Sequence, residues 1–151
     1  MEEILDLSPD VRRPLIKLND IFKGCTALID TGALIPIWTK GVSVLEDLGA
    51  ELVRKNVEFG GFGGIAKGDF YRLDFKLGRF MYPGMPIVAS QSEDIPGFFL
   101  LSATMFTHMD YSIKNSSKKF MLSTSSNQVC YNLKVEFDGD YIVLCQVSEM
   151  V

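Results

Sequence analysis

Residues 65–77 carry a clear two-residue period. Tyr71, Leu73, Phe75 and Leu77 fall on one side, and Phe70, Arg72, Asp74 and Lys76 on the other. That period lays one apolar face of a strand on a core and does not suit a helix. The run lies directly behind Gly60-Gly61-Phe62-Gly63-Gly64, and residues 52–59 ahead of it are again strand-like. Two strands about a glycine-rich tip make a hairpin.

The rest of the chain repeats the theme at short spacing. Residues 15–20 alternate and reach a turn at Asn19-Asp20, with residues 22–29 as the hairpin partner. Residues 34–38 are apolar, but Pro36 argues against a central ladder position there. Residues 42–49 suit one or two helical turns ending at Gly49. Pro83-Gly84 predicts a turn, followed by a short strand over 85–89. Residues 98–101 form a continuous apolar run suited to a buried strand, and Ser102 is placed to cap a short helix through about His108. Residues 111–113 and 120–122 flank a polar turn at Asn115-Ser116-Ser117. Residues 129–137 and 141–147 flank Asp138-Gly139-Asp140 and predict a last hairpin. Many short strands and one short helix predict an all-β barrel or sandwich.

With 151 residues the chain suits one domain able to bury a real core. A net charge of −4 excludes a general basic footprint for nucleic acid. No apolar run approaches the ~20 residues of a membrane span. The opening MEEILDLSPDVRR is acidic and has no basic-then-apolar leader, so a cytoplasmic location is expected. Cys25, Cys130 and Cys145 are odd in number and lack metal-ligand spacing, so free thiols, no metal and no cofactor are expected.

The chemistry-bearing stretch is Ala27-Leu28-Ile29-Asp30-Thr31-Gly32-Ala33. An apolar strand delivers a carboxylate into a turn made by a hydroxyl residue and a glycine. Such a carboxylate, held by backbone N–H groups between apolar walls, can activate water. Glycine lets another backbone come close, and the threonine hydroxyl can lock the loop. The plain alternative is a tight turn with no chemistry.

In context, residues 13–33 resemble the start of the retroviral-type aspartic proteases, the retropepsin family, whose short N-terminal hairpin leads into Asp-Thr-Gly-Ala. Gly60-Gly61-Phe62-Gly63-Gly64-Ile65 resembles the family's flap in position and composition. Residues 99–106, Phe-Leu-Leu-Ser-Ala-Thr-Met-Phe, resemble its apolar strand running into a short helix. The resemblance covers residues 12–123, with residues 1–11 as an N-terminal segment and 124–151 as an added C-terminal hairpin. It implies a retropepsin-like closed β-barrel. The sequence departs from the family at Leu34, where an acidic residue is usual, at Ser102 for a glycine, and at Ala103 for a basic residue.

The resemblance further implies an aspartic endopeptidase. Its chemistry needs two carboxylates sharing a proton and a water, and at roughly 3 Å both cannot ionise. The sequence has one Asp-Thr-Gly, so the second carboxylate is expected from Asp30 of another copy, in a homodimer. Asp30, Thr31 and Gly32 form the expected catalytic loop. Ala33, Leu34, Gly61, Phe62, Gly63, Gly64 and Ile65 are the expected contacts to an extended polypeptide substrate, with Ile35 as a further pocket wall. The alternative is a non-catalytic retropepsin-like dimerisation or peptide-binding module in which Asp30 is only a turn residue. A phosphate loop over 60–68 lacks the Gly-Lys-Ser/Thr ending. Ser102, His108 and Asp110 supply the residue types of a serine triad and nothing more.

Overall fold

The computed structural model describes residues 1–8, 14–18, 22, 25–30, 32–61, 64–90 and 99–149. The Asn19-Asp20 turn, Thr31, Phe62 and Gly63 lie outside them. The protein is mostly β. Its strands are β1 (Glu2–Asp6), β2 (Ile16–Lys17), β3 (Thr26–Asp30), β4 (Ile37–Trp38), β5 (Glu51–Gly61), β6 (Gly64–Leu77), β7 (Phe80–Ser90), β8 (Phe99–Ser102), β9 (Asp110–Lys114), β10 (Lys119–Ser123), β11 (Tyr131–Asp138) and β12 (Tyr141–Glu149). Among the described residues one α-helix, α1 (Val42–Asp47), buries Leu45 and gives way to Gly49 in a left-handed conformation.

Two sheets hold these strands. The smaller is antiparallel in the order β1-β10-β9, so residues 2–6 close a sheet with the β9–β10 hairpin. The larger runs β11-β12-β5-β6-β7-β4-β8-β3-β2. It is mixed: β3 runs parallel to β8, β4 parallel to β7, and β12 touches β5 in parallel. A bridge between Met81 and Cys130 ties the start of β11 back to β7.

The alternation over 65–77 does what it predicts. Tyr71, Leu73, Phe75 and Leu77 are buried, while Asp74 and Lys76 face solvent. Phe75 makes edge contacts to Phe22 and Phe99, and Trp38 packs edge-on against Phe99. Phe70, on the opposite face, is buried too, because the C-terminal hairpin covers it and brings Phe137 edge-on at 5.5 Å.

Three expectations are corrected. Pro83-Gly84 is no turn, since β7 runs through it. Leu73 pairs with Met85 and Phe75 with Tyr82, so Pro83 and Gly84 together oppose Asp74 as a bulge. Gly84 takes φ 57° and donates its N–H to the Asp74 carboxylate at 2.7 Å. The true turn is Gly78-Arg79, between the paired Leu77 and Phe80. The helix expected after Ser102 is only a 3-10 turn, Ala103–Phe106, and the Ser102 side chain does not cap it. Pro36 does not keep its neighbours out of the sheet centre. β4 starts one residue later, between β7 and β8, and the Pro36 carbonyl accepts from Val88 N–H at 3.0 Å. Proline lacks only the donor, so its acceptor still joins the ladder.

Candidate active site around Asp30

The apolar run 27–29 forms β3 between β8 and the two-residue edge strand β2, next to the end of the large sheet. Ala27 is fully buried, and Asp30 ends the strand half-buried. The chain then turns sharply. Ala33 N–H bonds the Asp30 carbonyl at 3.2 Å, and Gly32 N–H bonds the Asp30 Oδ1 at 2.9 Å. The carboxylate is therefore stapled into its own turn by a backbone donor, an arrangement that Asp favours.

Beside it ends β8, which is buried throughout. The parallel register pairs Ile29 with Leu101 and Asp30 with Ser102. Two sequence features read separately thus meet as neighbours. Ser102 is fully buried. Its Oγ lies 2.7 Å from Thr104 Oγ1. Thr104 Oγ1 donates to the Leu34 carbonyl at 3.2 Å and sits 4.0 Å from Cys145 Sγ. A hydroxyl has one proton. The carbonyl is the closer and better acceptor, so Ser102 supplies the proton for the 2.7 Å bond. Ser102, Thr104 and Leu34 form one short relay between β8, the 3-10 turn and the loop behind Asp30. Burial pushes the Cys145 thiol up from 9.0 to about 11.

The other expected residues are dispersed. Gly32 is exposed, Ala33 is buried and Leu34 is half-buried against the core. Ile35, expected as a pocket wall, is fully buried and belongs to the core. Gly61 and Gly64 are paired at the end of the β5–β6 hairpin, and Ile65 is 66% exposed beside them. Thr31, Phe62 and Gly63 fall outside the described residues.

The serine-triad residue types do not gather. Ser102 is sealed in the core by Thr104, while His108 and Asp110 are exposed. Lys67 pairs with Glu58 across the hairpin at 4.0 Å. Among the described residues, no group of three His, Cys, Asp or Glu could hold a metal ion, and no helix is long and apolar enough to cross a membrane.

Thr104 escaped the sequence reading, though a signal was present. In Phe99-Leu100-Leu101-Ser102-Ala103-Thr104-Met105-Phe106 the only side-chain polar atoms are two hydroxyls. Buried hydroxyls need partners, and two of them two residues apart at a strand end can serve each other.

Comparison with protein-family models, curated proteins and solved structures finds no match to this chain.

Proposed function

We propose that this chain is an aspartic endopeptidase of the retropepsin type, active as a homodimer with one Asp30 contributed by each copy. The observation that carries the reading is the register of Asp30 with Ser102 at paired parallel strand ends. It sets a carboxylate at the end of an apolar strand pair, with a backbone N–H on its Oδ1. Rigid strand ends hold reacting groups better than free loops do. The long β5–β6 hairpin adds support, since its glycine-rich end suits a flap.

In this mechanism two Asp30 carboxyls meet across a two-fold axis and share one proton. Their apparent pKa values belong to the pair. The charged member takes a proton from water as that water attacks the peptide carbonyl. The protonated member donates its proton to the carbonyl oxygen, and as the resulting diol collapses the proton taken from water passes to the departing amine while a diol hydroxyl returns its proton to the other carboxylate. Thr31 ties the two loops together and Gly32 permits their approach. The flap, residues 60–64, covers an extended polypeptide held largely by main-chain hydrogen bonds. Leu34 and Ile65 supply apolar contact beside the scissile bond.

The finer architecture belongs to the same proposal. A retropepsin-like barrel would use the Met81–Cys130 bridge as its seam. A cytoplasmic location is proposed on the three free cysteines.

The test is cleavage of a mixed peptide library across pH 4–7 by wild type beside Asp30→Asn. Cleavage that vanishes in the variant supports the peptidase. Equal cleavage by both overturns it. Silence from both, in a protein shown to be dimeric, transfers the reading to a peptide-binding or dimerisation module.

A further inference from the structure

The C-terminal hairpin meets β5 through its turn. Arg54 of β5 donates through Nη2 to the Gly139 carbonyl at 2.7 Å and to the Asp140 carboxylate. The Arg54 guanidinium also lies 4.7 Å over the Phe137 ring. Four residues further along β5, Glu58 N–H donates to the Asp140 carbonyl at 2.7 Å, and Glu58 pairs in register with Tyr141. Two residues beyond that, Gly60 lies beneath the Tyr141 side chain. A Cβ at Gly60 would stand 2.5 Å from the Tyr141 hydroxyl oxygen. One turn thus grips the strand at 54, 58 and 60.

The strand is irregular on both sides of the first grip. Leu52 pairs with Tyr71, Arg54 with Phe70 and Val57 with Gly68, so β5 carries an extra residue in each interval. Asn56 takes φ 56°, a conformation uncommon outside glycine, and its N–H leaves the ladder for the Asp69 carboxylate at 3.0 Å. Bulges bend and twist a strand. From Val57 to Gly61 the ladder with β6 is regular again. The hairpin end is therefore a regular lever joined to the sheet through a bent segment.

We propose that the turn at residues 138–141 is a brace across this bend, and that Arg54, Asp140 and Tyr141 are positioning residues for the β5–β6 hairpin. The brace holds the lever at one angle and limits its swing. It gives the C-terminal hairpin a role in substrate binding within the same chain. The functional half rests on the reading of this hairpin as the flap. The mechanical half does not. Arg54 and Asp140 are 37% and 68% exposed, so their pair contributes little to global stability. Their effect falls on the local freedom of the lever.

The test combines amide hydrogen exchange with cleavage kinetics for the intact chain and its Arg54→Ala, Arg54→Lys and Gly60→Ala variants. For Arg54→Ala, exchange across 57–61 and 64–66 rises about two- to fivefold while β7 stays unchanged. Arg54→Lys keeps the charge on Asp140 and restores part of the protection. Gly60→Ala displaces the Tyr141 ring and raises exchange over the same residues. KM for peptide rises severalfold in Arg54→Ala, with kcat retained. Unchanged exchange at 57–66, or a rise shared equally by β7, overturns the brace. Raised local exchange with unchanged KM keeps the brace and overturns its part in substrate binding. If wild type cleaves nothing, the peptidase reading fails while exchange still decides the brace.

Discussion

The Thr104 hydroxyl donates to the Leu34 carbonyl at 3.2 Å, joining the turn after β8 to the loop after β3. The two residues are 70 positions apart in sequence. Leu34 stands where the retropepsin resemblance leads one to expect an acid, and the basic position beside Ser102 is Ala103. In this chain the connection is neutral and includes a main-chain acceptor. Substituting Leu34 therefore cannot remove it, whereas substituting Thr104 can.

Thr104→Val keeps the shape and removes the hydroxyl. It leaves the fully buried Ser102 Oγ and the Leu34 carbonyl without their partner. An orphaned buried polar group costs about 1–3 kcal/mol. Urea unfolding should show that loss, and Thr104→Ser should recover most of it. Peptide cleavage should fall in Thr104→Val more than stability alone explains, because the loop carrying Asp30 loses its tie.

Tyr82 is buried against Tyr131 and Phe75, and its hydroxyl donates to the Met105 carbonyl at 2.8 Å. Tyr82→Phe leaves that carbonyl unpaired. The expected cost is about 1–2 kcal/mol, with an unchanged denaturant slope, since the packing shape is preserved.

Gly68 lies where β6 passes between β5 and β7. A Cβ there would stand 2.4 Å from the Ala89 carbonyl oxygen and 2.6 Å from Val88 Cγ1. Neither the carbonyl nor the buried valine can retreat far. Gly68→Ala should destabilise the protein by about 1–3 kcal/mol through overpacking, measured by urea unfolding. Gly64→Ala, whose Cβ meets nothing within 4 Å, supplies the contrast. Its cost is confined to backbone strain at φ 114°.

Alkaline pH should destabilise the protein. Burial raises the Cys145 thiol from 9.0 to about 11 and, with help from the Glu46 carboxylate, raises the Tyr71 hydroxyl from 10.0 to about 12. Burial pushes Tyr82 higher still, with Tyr131 adding to the shift. In each case the unfolded chain ionises first. Stability from these groups is complete below about pH 9 and is lost as pH rises through 9–12. The Cys145 share is on the order of 2 kcal/mol. Urea unfolding at successive pH values should show the decline, and Cys145→Ala should flatten its 9–11 segment.

The strands were legible wherever local pattern and tertiary demand agreed. Tyr71, Leu73, Phe75 and Leu77 alternate because one sheet face is buried, and the last hairpin follows from Asp138-Gly139-Asp140. Pro83-Gly84 misled because a turn and a bulge draw on the same residues. Only the pairing of Asp74 with both separates them. Ser102 misled because its hydroxyl serves Thr104 and not a helix end. Asp30 was visible as a strand-terminal carboxylate, but its register with Ser102 was not. Parallel pairing across 72 positions leaves no local trace. The Arg54–Asp140 contact was equally hidden, since the two residues are 86 positions apart and Asp140 reads only as part of a hairpin turn.

The central claim is that each copy supplies one Asp30 to a shared site. Refolding wild type with Asp30→Asn at a series of ratios, then measuring peptide cleavage, tests it directly. If each mixed dimer is inactive, activity follows the square of the wild-type fraction and falls to about one quarter in an equal mixture. A linear fall to about one half would mean that each chain carries a complete site, and would contradict the shared Asp30 pair.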